Sequence, residues 1–289
     1  LKNNILFVVN PISGGLDKKG LTDLVQMYSI NIGVTVLVYE TTGSNDTAHI
    51  REICLKENFE RVIVAGGDGT IKMVVEALED IDIVLGILPA GSANGLATDL
   101  NLPKTIEENM CIAFHNPYMK MDVITINEKY SLHLSDLGLN ADLIKNYEEN
   151  SLRGFWGYAA QAYTTLRESE DAFEATIIAN ETTIIVKAKM IVIANSQKYG
   201  TGVVINPMGV MNDGKFELVI LKNLDLLVLG KILNGNIPID SEDIVIVSTD
   251  KAVIKTNSPV SFQIDGEYCG KQTELDIGIL KEHMKVAIP

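Results

Sequence analysis

The stretch 62-VIVAGGDGTIKMVVEAL-78 runs from an apolar strand pattern straight into Gly-Gly-Asp-Gly-Thr and then into a helical period. Such a junction collects free backbone N–H groups and the positive end of a helix dipole, and so receives anions. An aspartate there repels a bare phosphate but suits a phosphate that carries a metal ion. Asp68 therefore points to a nucleotide–Mg site.

The pattern on either side repeats. Strand-like runs occur at 4-NILFVV-9, 34-VTVLVY-39, 61-RVIVA-65 and 83-IVLGIL-88. They are rich in β-branched residues and apolar on both faces, as in a parallel sheet covered on both sides. Helical patterns lie between them at 20–30, 46–58 and 70–80. This alternation predicts a doubly wound α/β domain over residues 1–124, to which 281–289 returns. Beyond it comes a long helical tract at 141–169, broken near Ser151–Gly154. Strand signals then dominate at 173–179, 183–195, 215–221, 244–249, 251–256 and 260–264, so residues 125–280 read as an antiparallel β-sandwich or barrel.

Composition removes several function classes. With 289 residues, 46% hydrophobic and 21% charged, the chain is globular and long enough for two domains. A net charge of −14 opposes nucleic-acid binding, which needs a basic stripe. No apolar run approaches the roughly 18 residues of a membrane span. The N-terminal apolar run is too short for a signal peptide and reads as a buried strand. Three scattered cysteines without a CxxC pair favour reduced thiols and a cytoplasmic setting. The four histidines lack metal-ligand spacing.

Open α/β sheets bind ligands beyond the carboxyl ends of their strands. Three such ends carry small, polar loops: 10-NPISGG-15, 65-AGGDGT-70 and 89-PAGSANG-95. One glycine-rich turn often does no more than make a corner, but three in one sheet, one holding an aspartate, argue for a phosphate site. The Walker A pattern fails, since Gly15…Gly20-Leu21-Thr22 has leucine in place of lysine, and GxGxxG fails at Lys72.

Asn10-Pro11 with Ser13-Gly14, then Gly66-Gly67-Asp68-Gly69-Thr70, then Pro89-Ala90-Gly91-Ser92 with Asn94, resemble the diacylglycerol kinase catalytic family, which includes soluble bacterial lipid kinases and sphingosine kinases. Further on, 206-NPMGVMNDGKFELVIL-221 and 262-FQIDGEY-268 resemble that family's DG turn and DGE motif. The resemblance implies a first domain like that of NAD kinases and phosphofructokinases and a lipid kinase using ATP and Mg2+. Its acceptor would be diacylglycerol first, with a sphingoid base or another acyl-glycerol next, met at a membrane surface by a protein in peripheral contact with it, for which a homodimer is one expected state. It implies ATP contacts at Asn10, Thr41, Gly66, Gly67, Asp68, Gly69, Thr70, Ser92 and Asn94, with Asp68 and Glu267 catalytic and Glu267 the general base. A structural Mg2+ would sit on Asp213 with carbonyls of Val210 and Lys215, and Asp122 would join an Mg network. Phosphoryl transfer needs these types: charge neutralisation, in-line positioning and a base for the hydroxyl proton. Read without the resemblance, 265-DGE-267 and 212-NDG-214 are hairpin turns, and 155-FWGYAAQAY-163 is either an acyl-chain entry or ordinary core. Lys72, Met73 and Gly95 depart from the family pattern, which has Asn, Glu and Asp there. Two rivals follow: a kinase of a soluble substrate such as NAD, and a module that binds nucleotide or lipid with little turnover.

Overall fold

A computed structural model describes residues 4–15, 17–138, 172–199, 203–223 and 242–289. It divides into two compact units, one from Leu1–Met121 and Glu282–Pro289, the other from Asp122–Tyr199 and Val203–Lys281. The helical tract read at 141–169, with its aromatic stretch, lies outside the described residues.

The first unit alternates β1 (Asn4–Val9), α1 (Lys18–Ile32), β2 (Thr35–Glu40), α2 (Asp46–Lys56), β3 (Arg61–Gly66), α3 (Asp68–Ala77) and β4 (Val84–Pro89). Two helices follow, α4 (Gly95–Asp99) and α5 (Ile106–His115), and then β5 (Tyr118–Ile126), whose second half belongs to the other unit. The strands lie in the order β4-β3-β1-β2, each pair parallel. Ile5, Phe7 and Val9 pack with Leu21 and Val25 of α1 and with Met110 and Phe114 of α5. Leu6 and Val8, which point the other way, are equally buried. Burial on both faces is why these runs read as continuously apolar. Helix α1 opens at Asp17, whose carboxylate accepts from Lys19 N, and closes at Gly33 in the left-handed region at φ 72°.

The second unit holds β6 (Lys129–Ser131), β7 (Leu134–Gly138), β8 (Phe173–Ala179), β9 (Thr182–Ala188), β10 (Met190–Ala194), β11 (Lys198–Tyr199) and β12 (Val203–Val204). It ends with β13 (Phe216–Leu221), β14 (Ile244–Thr249), β15 (Lys251–Ile264) and the long β16 (Glu267–Ala287). The order β14-β13-β10-β7-β15 is antiparallel throughout, with β8 and β16 also paired to β15. Alternate residues feed two cores. Ile191, Ile193, Leu218 and Ile220 enter one, whereas Val192, Ala194, Val219 and Leu221 enter the other. The last residues of β16 lie in the first unit, where Lys285 and Val286 pair in parallel with Val84 and Leu85 of β4.

Two strand expectations are corrected. The run 183–195 is two strands, because among the described residues β9 pairs only with β8 whereas β10 lies between β7 and β13. The runs 251–256 and 260–264 are one strand, β15, with a register shift between Lys255 and Val260. Pro259 sits in that irregularity, where the ladder does not need its missing N–H.

Candidate active site

In the first unit the three glycine-rich loops meet. Asn10 closes the end of β1, its N–H donating to Ala65 O at 3.0 Å and its side-chain amide to Thr70 Oγ1 at 3.0 Å. Ala90 N donates to Gly66 O at 2.9 Å, joining the ends of β4 and β3. Gly67 and Gly91 touch backbone to backbone, and a Cβ on Gly91 would lie 2.3 Å from Gly67 Cα. A side chain at either position would fill the space the two loops leave. Helix α3 starts at this contact with no side-chain cap on its N-cap residue Gly67. Its first N–H groups thus remain for a ligand, the arrangement that binds phosphate.

Asp68 is tied to the third loop. Its Oδ2 accepts from Gly95 N at 2.9 Å and its Oδ1 from Leu96 N at 3.1 Å, so the carboxylate caps the first turn of α4. Asn94, at φ 53°, folds back on its own loop: Oδ1 accepts from Gly91 N at 2.8 Å and Nδ2 donates to Gly91 O at 3.0 Å. Asn10, Asn94 and buried Thr70 therefore shape the loops, whereas Gly69 and Ser92 are exposed at the same junction. Lys72 and Met73 follow in the first turns of α3, both half-buried.

Thr41 sits just past β2, its N–H donating to Val9 O at 2.9 Å. The segment after it hangs on Asp46, a residue the sequence reading passed over. The Asp46 carboxylate accepts from Thr42 N at 2.9 Å, Gly43 N at 2.7 Å, Thr42 Oγ1 at 3.1 Å and Tyr39 OH at 2.7 Å. Burial alone raises its pKa, but the Thr42, Tyr39 and Gly43 hydrogen bonds outweigh burial and hold it below the ordinary value. Burial, then the bond and charge of Asp46, push Tyr39 up to about 12. Because the native pKa of Asp46 is depressed, its stabilisation is present above the unfolded carboxylate pKa and is lost as pH falls through the native value. Asp46→Asn should cost about 1–3 kcal/mol at pH 7. In thermal melts its gap from wild type should begin to narrow near about pH 4 and narrow further as pH falls through the native value; a gap that does not narrow with falling pH would place the loss elsewhere.

In the second unit, Asp265 and Gly266 form a two-residue hairpin turn between paired Ile264 and Glu267, with φ of 49° and 88°. Positive φ at both positions is the type I′ geometry that favours Asp-Gly. The Asp265 carboxylate accepts from Leu132 N, His133 N and Leu134 N at 2.8, 3.1 and 3.3 Å and from Ser131 Oγ at 3.2 Å. Gly266 N donates to Gln263 Oε1 at 2.7 Å, and Gln263 in turn bonds Asp136. This lattice leaves Glu267 exposed at the head of β16.

Asp122, fully buried, accepts from Gly214 N at 2.6 Å through Oδ2, while its own N–H donates to Met211 O at 2.8 Å. It thereby holds the 211–214 turn. Asp213 is exposed on that turn and accepts from Lys215 N at 3.0 Å, with Val210 and Lys215 exposed beside it. Among the described residues no three His, Cys, Asp or Glu side chains cluster. One carboxylate with main-chain oxygens is an all-oxygen donor set that fits Mg2+, a cation that keeps most of its water. At the junction of the three loops, Asp68 keeps a lone pair on each oxygen beyond the one facing an N–H, which fits a water-mediated contact to a separate Mg2+.

A family profile described as the diacylglycerol kinase catalytic domain matches residues 4–126, and one described as the YegS C-terminal NAD kinase beta sandwich-like domain matches residues 137–286. The chain belongs to the family that joins these two domains. It is 24% identical over 298 aligned residues to a diacylglycerol kinase of Bacillus subtilis (strain 168), covering 98% of this chain and 95% of that one. A diacylglycerol kinase of Staphylococcus carnosus (strain TM300) is 25% identical, covering 100% and 96%. The crystal structure of a diacylglycerol kinase from Bacillus anthracis str. Sterne superposes with a TM-score of 0.80 at 20% identity, over 99% of this chain and 97% of that one. The family thus carries the expected two-part architecture, a parallel α/β core and a β-sandwich. Among the described residues no helix is long and apolar enough to cross a membrane.

Proposed function

We propose that this chain transfers the γ-phosphate of ATP to a lipid hydroxyl, with diacylglycerol as the leading acceptor and a sphingoid base or another acyl-glycerol next. The observation that carries the reading is the meeting of three strand-end loops at Gly67 and Gly91, over the uncapped start of α3, in a chain that matches the diacylglycerol kinase catalytic domain. The N–H groups at Gly67–Gly69 and the Ser92 hydroxyl bind phosphate oxygens, and Thr41 and the shaped loops at Asn10 and Asn94 hold the rest of the nucleotide. Glu267 takes the proton from the acceptor hydroxyl as its oxygen bonds to the γ-phosphorus. The bond to the β,γ-bridging oxygen breaks, and ADP leaves with that electron pair. Asp68 would hold Mg2+, which would supply charge neutralisation on the phosphates, and Asp213 would hold a second ion on the turn that Asp122 supports. The acceptor is met at a membrane surface by a protein in peripheral contact with it; a cytoplasmic setting and a homodimer fit the same reading.

The second reading, a nucleotide-binding module with little turnover, draws on Asp68, whose two oxygens both face N–H groups at the departed position Gly95 and its neighbour. The test is transfer of labelled γ-phosphate from ATP–Mg to micelles of diacylglycerol, monoacylglycerol, sphingosine or ceramide, with NAD as a soluble control. Label in diacylglycerol at no less than about tenfold over the others is the expected outcome. Label in NAD alone would refute a lipid kinase, and ATP binding without label anywhere would favour the module.

A further inference from the structure

Leu21 stands where a phosphate loop would carry its lysine, yet the fold brings a lysine to the loops by another route. Lys18, the first residue of α1, is 7% exposed, and its Nζ lies 2.6 Å from Ser13 O and 3.0 Å from Ala90 O. One carbonyl belongs to the loop after β1 and the other to the loop after β4. Nothing general favours a lysine here. A cation at a helix N-terminus opposes the dipole, and burial penalises its charge, which lowers its pKa. The main-chain carbonyl dipoles it gathers are what hold it in place.

We propose that Lys18 is a positioning residue of the nucleotide site, an internal cation that locks the Asn10–Gly15 loop to the Ala90–Asn94 loop and fixes which way their amides face. A peptide group is planar and trans, so a carbonyl turned onto Lys18 turns the next N–H the opposite way. For Ala90 that N–H is Gly91's, which Asn94 Oδ1 accepts at 2.8 Å. For Ser13 it is Gly14's, directed away from the lysine. Gly14 itself, at φ 55°, presses so close that a Cβ would lie 2.5 Å from Ala90 O. Ser13 Oγ reaches the same Ala90 carbonyl at 3.3 Å. The lock thus joins the two loops at the Ala90 carbonyl from both sides. The ammonium acts through the loops; it is not assigned to the phosphates.

The inference rests on the nucleotide reading above, and its test separates the two. In the full chain, Lys18→Met keeps the stem and removes the charge, and Lys18→Gln keeps one donor. Amide hydrogen exchange in residues 10–15 and 90–95 should rise about tenfold or more in Lys18→Met, with Lys18→Gln between it and wild type. The KM for ATP should rise about tenfold while kcat at saturating ATP and the KM for lipid change less than about threefold. A merely stabilising lysine would lower the melting temperature and leave the ATP KM alone, which would overturn the proposal. So would unchanged exchange in both loops, in whichever of the two variants folds. If wild type binds no ATP, the nucleotide reading falls, and the exchange data still decide whether Lys18 locks the loops.

Discussion

Glu267→Gln is expected to slow phosphoryl transfer about 10²–10⁴-fold while leaving ATP affinity and thermal stability at the wild-type level. The separation follows from where the residue stands. Glu267 is exposed at the head of β16, and among the described residues its carboxylate carries no hydrogen bond or ion pair. Glutamine therefore removes the basic oxygen and disturbs no packing. The turn before it depends on Asp265, whose carboxylate gathers three consecutive N–H groups and Ser131 Oγ. A rate loss on changing Asp265 would report the turn and not proton transfer, which is why Glu267 is the informative position. Initial rates with labelled ATP, beside a thermal melt and ATP calorimetry, make the measurement. A variant that keeps its rate within about threefold would move the base to another group.

The same hairpin shows what a sequence can and cannot say. Asp-Gly between two apolar runs reads as a turn, and a turn is what residues 265–266 form. Nothing local in the sequence says that Asp265 is held by the backbone of residues 132–134, because that contact joins segments more than 130 residues apart. Strands β1, β3 and β4 were legible because burial on both faces makes them continuous apolar runs, and the edge strand β2 was legible from its β-branched residues although none of its residues is fully buried. Helix α5 was missed although Thr105 and Glu108 stand at capping-box spacing, since its ten residues hold a continuous apolar run, 110-MCIAF-114, that hides the helical period. The long β16 was missed for the opposite reason. Through 271-KQTELD-276 only Leu275 is buried, so its polar residues read as loop although they pair along β15. Asp46 and Lys18 carry no local sequence signal of their role, and only the folded loops reveal the carbonyls and N–H groups they collect.

Asp68→Asn is expected to reduce transfer about 100-fold or more and to reverse the preference of the site for metal-bound over metal-free nucleotide. Two roles meet in this side chain. As a cap it receives Gly95 N and Leu96 N, one on each oxygen. Asparagine offers one oxygen, so one of those N–H groups would face an NH2 group, at a cost of about 1–3 kcal/mol. As the proposed metal contact it would supply the negative charge that makes a triphosphate welcome only with its cation. Calorimetry with ATP in Mg2+ and with ATP in chelator separates the roles. A pure cap, once lost, disorders the third loop and weakens both forms alike. A lost metal contact weakens ATP–Mg about tenfold and leaves metal-free ATP as tight or tighter, because a carboxylate beside the α3 N-terminus no longer repels bare phosphate. The second pattern is the one expected: with both oxygens already turned to N–H groups, Asp68 is held in one orientation, and a fixed carboxylate at the start of α3 selects for the cation without having to move.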